Sequence, residues 1–179
     1  MPLPKSSYTS EDYWNLPEGK RAELIGGKFY PMAPPNRIHQ DLVSGFHYTL
    51  CDYIKRSNSF CRVYPAPFAV NLDADDKDWV EPDISVICDK NKLTDRGCSG
   101  APDLIIEVVS PSSRQQDYNL KNSLYAAAGV REYWIVDPVK ERTTVYHFED
   151  DAAPTIFPFD QDIPVGIFPG FKINIDALL

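Results

Sequence analysis

Two carboxylates stand at positions where ordinary packing would not place an acid. Asp83 opens the strand-like run 83–88, and Glu107 lies inside 103–109, a nearly continuous apolar run. Such runs are typical of strands that are covered on both faces. An ionised carboxylate in that setting is costly unless it is paired or binds a metal ion. The sequence therefore predicts a metal site built on Asp83 and Glu107.

Strand geometry decides which acids can share an ion. At about 3.3 Å per residue, Asp103 and Glu107 lie on the same face of one strand but are roughly 13 Å apart. Asp83 and Glu107 belong to two different predicted strands. If these strands are neighbours, the two carboxylates can lie about 5 Å apart, which suits a shared cation.

A lysine in the next predicted helix also indicates a site near Glu107. With about 100° per residue, Lys121 falls inside the apolar stripe formed by Leu120, Leu124, Tyr125 and Ala128 in the predicted helix 117–128. One interpretation is that its stem packs while its ammonium group reaches water. The other, which we favour, is that Lys121 reaches over the sheet toward Glu107.

Two further residues are candidates for the same site. His39 lies near the centre of the apolar stripe of the predicted helix 37–57, where a histidine is usually a hydrogen-bonded core residue. Its position at the start of that helix, where a site can open, favours a functional role. Glu23 lies in the first strand of a predicted hairpin and would either join the site or pair, half exposed, with Arg21 or Lys28. A site rich in oxygen ligands favours Mg²⁺ or Mn²⁺.

The pattern of turns and apolar runs predicts a short helix from Ser10, a hairpin over 21–32 and a long helix over 37–57. It then predicts strands over 61–66, 68–72, 83–88, 103–109, 132–136 and 142–148, with a helix over 117–128 and short edge strands near the end. The segments 73–82 and 89–101 are predicted loops. We expect a loose tail over 1–8 and a single domain over 9–179. Helices and strands alternate only in part, which predicts an α/β fold, more exactly an α+β arrangement with a mixed sheet.

Composition narrows the function classes. The chain has 179 residues and a formal net charge of −8, which argues against a protein that simply coats nucleic acid. An enzyme whose site carries its own metal ion stays compatible with that charge. No apolar stretch is long enough to span a bilayer and no signal region is evident, so we expect a cytoplasmic protein. Its four cysteines are expected to be free and mostly buried.

The site residues also carry a family resemblance. Pro82-Asp83 followed by Glu107-Val108-Val109 resembles the PD-(D/E)XK nuclease signature, with Val109 where the usual lysine stands and Lys121 as its replacement. The longer runs 102–113 and 132–138 are similar to the Uma-two (Uma2) family of restriction-endonuclease-like proteins. So are the residues Arg21, Glu23, Leu24, Ile25, Gly27, His39, Gln40, Asp117, Lys121, Tyr125, Gly129 and Val130.

The resemblance implies a restriction-endonuclease-like core, α-β-β-β-α-β, with an extra N-terminal hairpin and C-terminal strands. It implies metal-dependent hydrolysis of DNA, with Asp83, Glu107 and the main-chain carbonyl of Val108 as ligands of Mg²⁺ or Mn²⁺. Lys121, Glu23 and His39 would be the catalytic residues: Lys121 would steady the attacking water or the developing charge, Glu23 would hold a second metal ion or a water, and His39 would orient a ligand or carry a proton.

Several alternatives stay open at this point. The fold could serve as a non-catalytic binding or regulatory module in which the acids only pair with Lys121 and His39. The substrate could also be RNA or branched DNA. Arg114 and Arg37 are the nearest candidate phosphate contacts. An enzyme that cuts two strands often works as a pair related by a two-fold axis, so we expect a homodimer.

Overall fold

The computed structural model describes residues 6–73 and 77–179. Residues 1–5 of the expected tail and residues 74–76 of the acidic loop lie outside this part. The main-chain amide of Tyr8 donates to the carbonyl of Gly27 at 2.8 Å, so the end of the expected tail contacts the first hairpin. No helix in the described ranges combines the length and hydrophobicity needed to cross a bilayer.

The described part of the chain contains three α-helices: α1 (Ser10–Trp14), α2 (Arg37–Arg56) and α3 (Asn122–Ala128). Its central sheet has six strands. From one edge to the other, they are β12 (Thr155–Pro158), β11 (Arg142–His147), β10 (Glu132–Asp137), β9 (Leu104–Val108), β6 (Ile84–Ile87) and β3 (Arg62–Pro65). Strands β9 and β10 are parallel, and the other neighbours in this sheet are antiparallel. The prediction of a mixed α/β fold is confirmed, and the order α2, β3, β6, β9, helix, β10 follows the expected core.

Side chains on the two faces of the central sheet enter different cores. Even-numbered residues of β9, such as Leu104 and Ile106, pack with the apolar stripe of α2 and with the C-terminal segment. Odd-numbered residues, such as Ile105, pack with Tyr125 of α3 and with a second sheet. This alternation follows from the two-residue period of a strand, and it directs Glu107 toward α3.

The second sheet also has six strands among the described residues. From one edge to the other, they are β2 (Lys28–Pro31), β1 (Ala22–Ile25), β5 (Trp79–Val80), β4 (Val70–Asn71), β8 (Gly97–Ser99) and β7 (Leu93–Thr94). Strands β13 (Asp162–Pro164) and β14 (Lys172–Asn174) form a separate antiparallel pair. The sequence predicted a single mixed sheet, so the second sheet is a correction to that expectation.

The loops predicted over 73–82 and 89–101 contain the short strands β5, β7 and β8. Each has two or three residues, which is too few for an alternating pattern to be recognised. Their partners are distant in sequence, since β8 pairs in parallel with β4. Gly97 permits this approach, because a Cβ atom there would lie 2.0 Å from the carbonyl oxygen of Ala69.

The helix predicted over 117–128 has two parts. It starts with a π-helical segment, Gln116–Lys121, and continues as α3. Gly129 ends it in the left-handed conformation, with φ of 91°, as the sequence predicted. Short π-helical stretches are frequent at functional sites, and this one carries the buried residues Asp117 and Lys121.

The cysteines differ from the expectation of free thiols. Cys61 and Cys88 form a disulfide bond, while Cys51 and Cys98 are free. The first pair flanks the neighbouring strands β3 and β6, an adjacency that sequence spacing does not reveal. Disulfide bonds are rare in reducing compartments, and the cytoplasmic location stays a prediction.

The disulfide bond predicts a thiol count. Unfolded protein that was purified without reductant should show two thiols per chain with Ellman's reagent, because only Cys51 and Cys98 are free. The same sample should show four after reduction. Unfolding is needed because burial raises the pKa of the Cys98 thiol to about 11 and keeps it unreactive.

The Cys88→Ser variant provides a matched control. It should show three thiols before reduction, because Cys61 loses its partner. Four thiols in the unreduced wild type would contradict the disulfide bond.

Candidate active site

The register of β6 and β9 brings the two predicted acids together. The strands are antiparallel, with Ile84 opposite Ile106, so the next position along places Asp83 beside Glu107. The amide of Asp83 lies 3.4 Å from Oε2 of Glu107. The amide of Val108 donates to Oδ2 of Asp83 at 2.7 Å. The expected convergence of Asp83, Glu107 and Val108 is therefore confirmed, while their role as metal ligands stays a prediction.

Lys121 lies at the centre of a group of carboxylates. Its Nζ atom is 2.9 Å from Oε1 of Glu107, 3.0 Å from Oε1 of Glu23 and 3.5 Å from Oδ1 of Asp117. The residue is 5% exposed. The alternative in which its ammonium group reaches water is wrong, and the favoured orientation toward Glu107 is confirmed.

Glu107 uses its two side-chain oxygens differently. Oε1 accepts hydrogen bonds from Lys121 and from the hydroxyl of Tyr125, the latter at 2.8 Å. Oε2 faces the amide of Asp83. One oxygen is thus directed into the protein, and the other is directed toward the second acid.

Glu23 is buried and surrounded by donors. Its Oε1 accepts from the amide of Glu81 at 3.1 Å and from Lys121, and its Oε2 accepts from the side-chain amide of Gln116 at 3.2 Å. Arg21 pairs with Glu81. The alternative in which Glu23 is half exposed and pairs with Arg21 or Lys28 is therefore wrong.

His39 reaches the site from the opposite face of the sheet. The side chain of Asn36 caps α2 by accepting from the amide of His39 at 2.9 Å, which fixes the first turn of the helix. Nε2 of His39 lies 3.1 Å from Oδ2 of Asp83. Burial lowers the pKa of His39, but the hydrogen bond to Asp83 and the charge of Asp83 outweigh burial, so the pKa is raised overall.

Burial controls the ionisation of the other groups. It raises the pKa of Glu107 well above the ordinary value, even though the charge of Lys121 acts in the opposite direction. It also raises the pKa of Asp117. Burial lowers the pKa of Lys121, but the charges of Glu107 and Glu23 outweigh it and keep that pKa well above its ordinary value. Lys121 is therefore a fixed positive charge at neutral pH.

The site contains more carboxyl groups than cationic groups. Lys121 faces Glu23, Glu107 and Asp117, while His39 faces Asp83. Oδ1 of Asp117 is buried without a hydrogen-bond partner in the described part of the chain. An excess of buried carboxylate oxygen is the donor chemistry that suits a hard divalent cation.

No group of three or more His, Cys, Asp and Glu side chains within 6–73 and 77–179 is arranged to hold a metal ion. The expected ligand set contains only two side chains, Asp83 and Glu107, together with the carbonyl of Val108. The main chain of Val108 lies close enough to His39 to contribute to the raised pKa of the imidazole. These residues fit a partly hydrated Mg²⁺ or Mn²⁺, since Mg²⁺ usually keeps several waters.

Sequence reasoning assigned no role to Asp117, Tyr125 or Gln116, although all three contact the site. A signal for two of them was present in the spacing. Asp117, Lys121 and Tyr125 follow each other at intervals of four residues, which places them on one face of a helix. Gln116 carries no such signal, because its contact with Glu23 depends on how the second sheet is placed.

The site opens into a cleft of about 470 Å³. Asp83, Glu107, His39 and Lys121 contribute to its walls, as does the turn 110–113. The arginines predicted as phosphate contacts have carboxylate partners. Arg114 pairs with the buried Asp137, and the exposed Arg37 pairs with Asp41 on α2.

Three comparisons with known proteins found similar chains, and the one with solved structures supports this fold. The Uma2 family model, described as "Putative restriction endonuclease", matches residues 10–176. The chain is 24% identical over 152 residues to the uncharacterized protein slr1290 of Synechocystis sp. (strain ATCC 27184 / PCC 6803 / Kazusa), covering 84% of this chain and 78% of that protein. A crystal structure described as a putative nuclease belonging to DUF820 from Anabaena variabilis ATCC 29413 superposes with a TM-score of 0.77. It is 22% identical, and the match covers 95% of this chain and 96% of that chain.

The buried charges predict a pH-dependent effect of removing Lys121. Without added metal at pH 7.5, Lys121→Met should lower the free energy of unfolding by about 3–5 kcal/mol, because buried carboxylates lose their counter-charge. Glu107 and Asp117 have raised pKa values in the folded protein. A carboxyl group whose pKa is higher in the folded than in the unfolded protein contributes stability below its unfolded pKa. This contribution is lost as the pH rises through the folded pKa, where the buried group must ionise. The penalty should therefore shrink toward pH 5, as measured by urea denaturation.

Lys90→Met is a matched control, because Lys90 is exposed and its loss should change the stability little. An equal penalty for Lys121→Met at pH 5 and pH 7.5 would contradict the charge arrangement described above.

Proposed function

The chain belongs to the Uma2 family, and from this premise and the site geometry we propose that it is a metal-dependent endonuclease that hydrolyses phosphodiester bonds in DNA. One observation supports this most. Asp83 and Glu107 meet at the ends of adjacent strands, and the ammonium group of Lys121 is fixed against Glu107 beside an open cleft. Carboxylates can hold a metal ion for phosphoryl transfer, and a fixed cation can stabilise the charge that develops on the phosphate.

In this proposal Asp83, Glu107 and the carbonyl of Val108 hold Mg²⁺ or Mn²⁺. Such an ion, when bound, polarises a phosphate oxygen and lowers the pKa of a bound water. Glu107 would offer Oε2, because its Oε1 already accepts from Lys121 and Tyr125. Both Glu107 oxygens would then have defined tasks, one inside the protein and one in the site.

Lys121 acts in this proposal as a fixed positive charge. Its raised pKa keeps it protonated, so it does not serve as a general base. It would donate a hydrogen bond to the attacking water or to the phosphate oxygen on which charge develops. Glu23 positions this group by contacting Nζ directly, and Tyr125 positions it indirectly by donating to the same Oε1 of Glu107.

His39 would orient the metal ligand Asp83. Its Nε2 atom lies near the same Asp83 oxygen that accepts from the amide of Val108. Two contacts on one carboxylate oxygen restrict the rotation of the group, and outer partners of this kind tune metal affinity. A role for His39 as a proton carrier is also part of the proposal, because its imidazole borders the cleft.

A second candidate function is a non-catalytic binding or regulatory module. The observation that favours it is that both acids already have protein partners, Asp83 with His39 and Glu107 with Lys121. In such a module these pairs would be structural and no metal would bind. Titration calorimetry with Mn²⁺ separates the two candidates, since saturable binding that Asp83→Asn abolishes supports the enzyme.

DNA as substrate, a homodimer and a cytoplasmic location stay predictions. The cleft supplies few cations for a nucleic-acid backbone, because Lys121 and Arg21 are both paired with carboxylates. Tight binding of a long duplex rests on many phosphate contacts. A bound divalent ion would therefore supply much of the positive charge that a phosphate meets here.

The proposed function predicts plasmid nicking or cleavage that requires Mg²⁺ or Mn²⁺. Asp83→Asn and Glu107→Gln should lower the rate to that of an EDTA-treated sample, because each removes a negatively charged ligand. Lys121→Met should lower it by about 10²–10³-fold, the usual cost of losing one donor to the developing charge. Asp95→Asn, an exposed acid, should keep the full rate. Equal rates in all variants would identify a contaminating nuclease and contradict the proposal.

The role of His39 predicts a change in metal affinity. His39→Ala should weaken Mn²⁺ binding by about 10-fold in calorimetry, because Asp83 loses the partner that orients it. His47→Ala is the matched control, since His47 lies on the same helix and contacts Cys51 instead. Unchanged affinity in His39→Ala would remove His39 from the proposed site.

A further inference from the structure

We propose that the ammonium group of Lys121 occupies the position of a second divalent cation, so that the chain binds one metal ion at this site. This inference rests on the proposed metal site at Asp83 and Glu107. It also changes the expectation that Glu23 holds a second metal ion, because it assigns that position to a side chain of the protein.

The first support is the position of the ammonium group. Lys121 Nζ lies between Oε1 of Glu107 and Oε1 of Glu23, at 2.9 and 3.0 Å. Glu107 belongs to the central sheet and Glu23 to the second sheet. A cation that bridges two carboxylates does there what a second metal ion would do, because it balances the charge of both acids.

The second support is the occupation of the carboxylate oxygens. Both oxygens of Glu23 accept from protein donors, which are the amide of Glu81, the side chain of Gln116 and Lys121 itself. Oε1 of Glu107 accepts from Tyr125 as well as from Lys121. A metal ion on this side would have to displace an ammonium group that is enclosed by protein. By contrast, Oε2 of Glu107 faces Asp83, whose side chain is more exposed than those of Glu23 and Lys121.

The third support comes from Asp117. This residue is 2% exposed, its Oδ1 atom has no hydrogen-bond partner in the described residues, and that atom lies 3.5 Å from Nζ. Lys121 is thus the nearest cation to three buried carboxylates, those of Glu23, Glu107 and Asp117. If the ammonium group is removed, Glu107 and Glu23 lose the cation that bridges them, with the buried Asp117 nearby. Carboxylate oxygens are hard ligands that suit a divalent ion.

Mn²⁺ binding to the wild-type protein tests the inference directly. Calorimetry and electron paramagnetic resonance should give one ion per chain and no spin-coupled Mn²⁺ pair. Two ions per chain with spin coupling would overturn the inference while leaving the proposed function intact. A stoichiometry of zero would instead contradict the proposed metal site, so the two failures are distinguishable.

The Lys121→Met variant tests whether a second metal ion binds once the ammonium group is removed. This variant, checked for folding by circular dichroism, should bind two Mn²⁺ ions with a spin-coupled signal. Adding Glu23→Gln to Lys121→Met should return the count to one, because a carboxylate of the new site is lost. Lys90→Met, which removes an exposed lysine, should stay at one ion. A folded Lys121→Met protein that binds one ion would overturn the inference, and the wild-type measurement decides the matter if that variant does not fold.

Discussion

A single buried ammonium group holds the site together. Lys121 contacts Glu107 of the central sheet, Glu23 of the second sheet and Asp117 one turn before it on the π-helical segment. Removing one partner of a buried ion pair is costly, because the remaining charge is left without compensation. Lys121 therefore connects both sheets and the helix at this point, in addition to the apolar core that they share, and the site exists where all three elements meet.

This constraint also divides the site into two halves. The inner half, around Lys121, contains charges that are closed off from water and hydrogen bonds that restrict each side chain. The outer half contains Asp83, which His39 contacts from the opposite face of the sheet, and the Glu107 oxygen that faces it. Glu107 belongs to both halves, so the inner contacts of its Oε1 also orient Oε2, which faces Asp83. Such a preorganised arrangement is what electrostatic catalysis requires.

The sequence predicted the parts of this arrangement that follow from periodicity. The apolar runs placed Asp83 and Glu107 on two strands that could converge only if they were neighbours, which the register of β6 and β9 shows. The helical period directed Lys121 inward. It did not predict β5, β7 and β8, because strands of two or three residues carry no period and depend on distant partners. The sequence left open whether Glu23 joins the site or is half exposed, because the residues that enclose it, Glu81 and Gln116, are far from it in sequence. The disulfide bond needed knowledge of which strands are neighbours.

Anomalous diffraction from crystals that contain Mn²⁺ tests the central claim most directly. We expect one anomalous peak, bonded to the side chains of Asp83 and Glu107 and to the carbonyl of Val108, with Lys121 still in contact with Glu107 and Glu23. A site without a peak at millimolar Mn²⁺, in crystals where the cleft is open to solvent, would contradict the metal-dependent mechanism. A peak between Glu23 and Glu107, with Lys121 displaced, would contradict the arrangement on which the whole account depends.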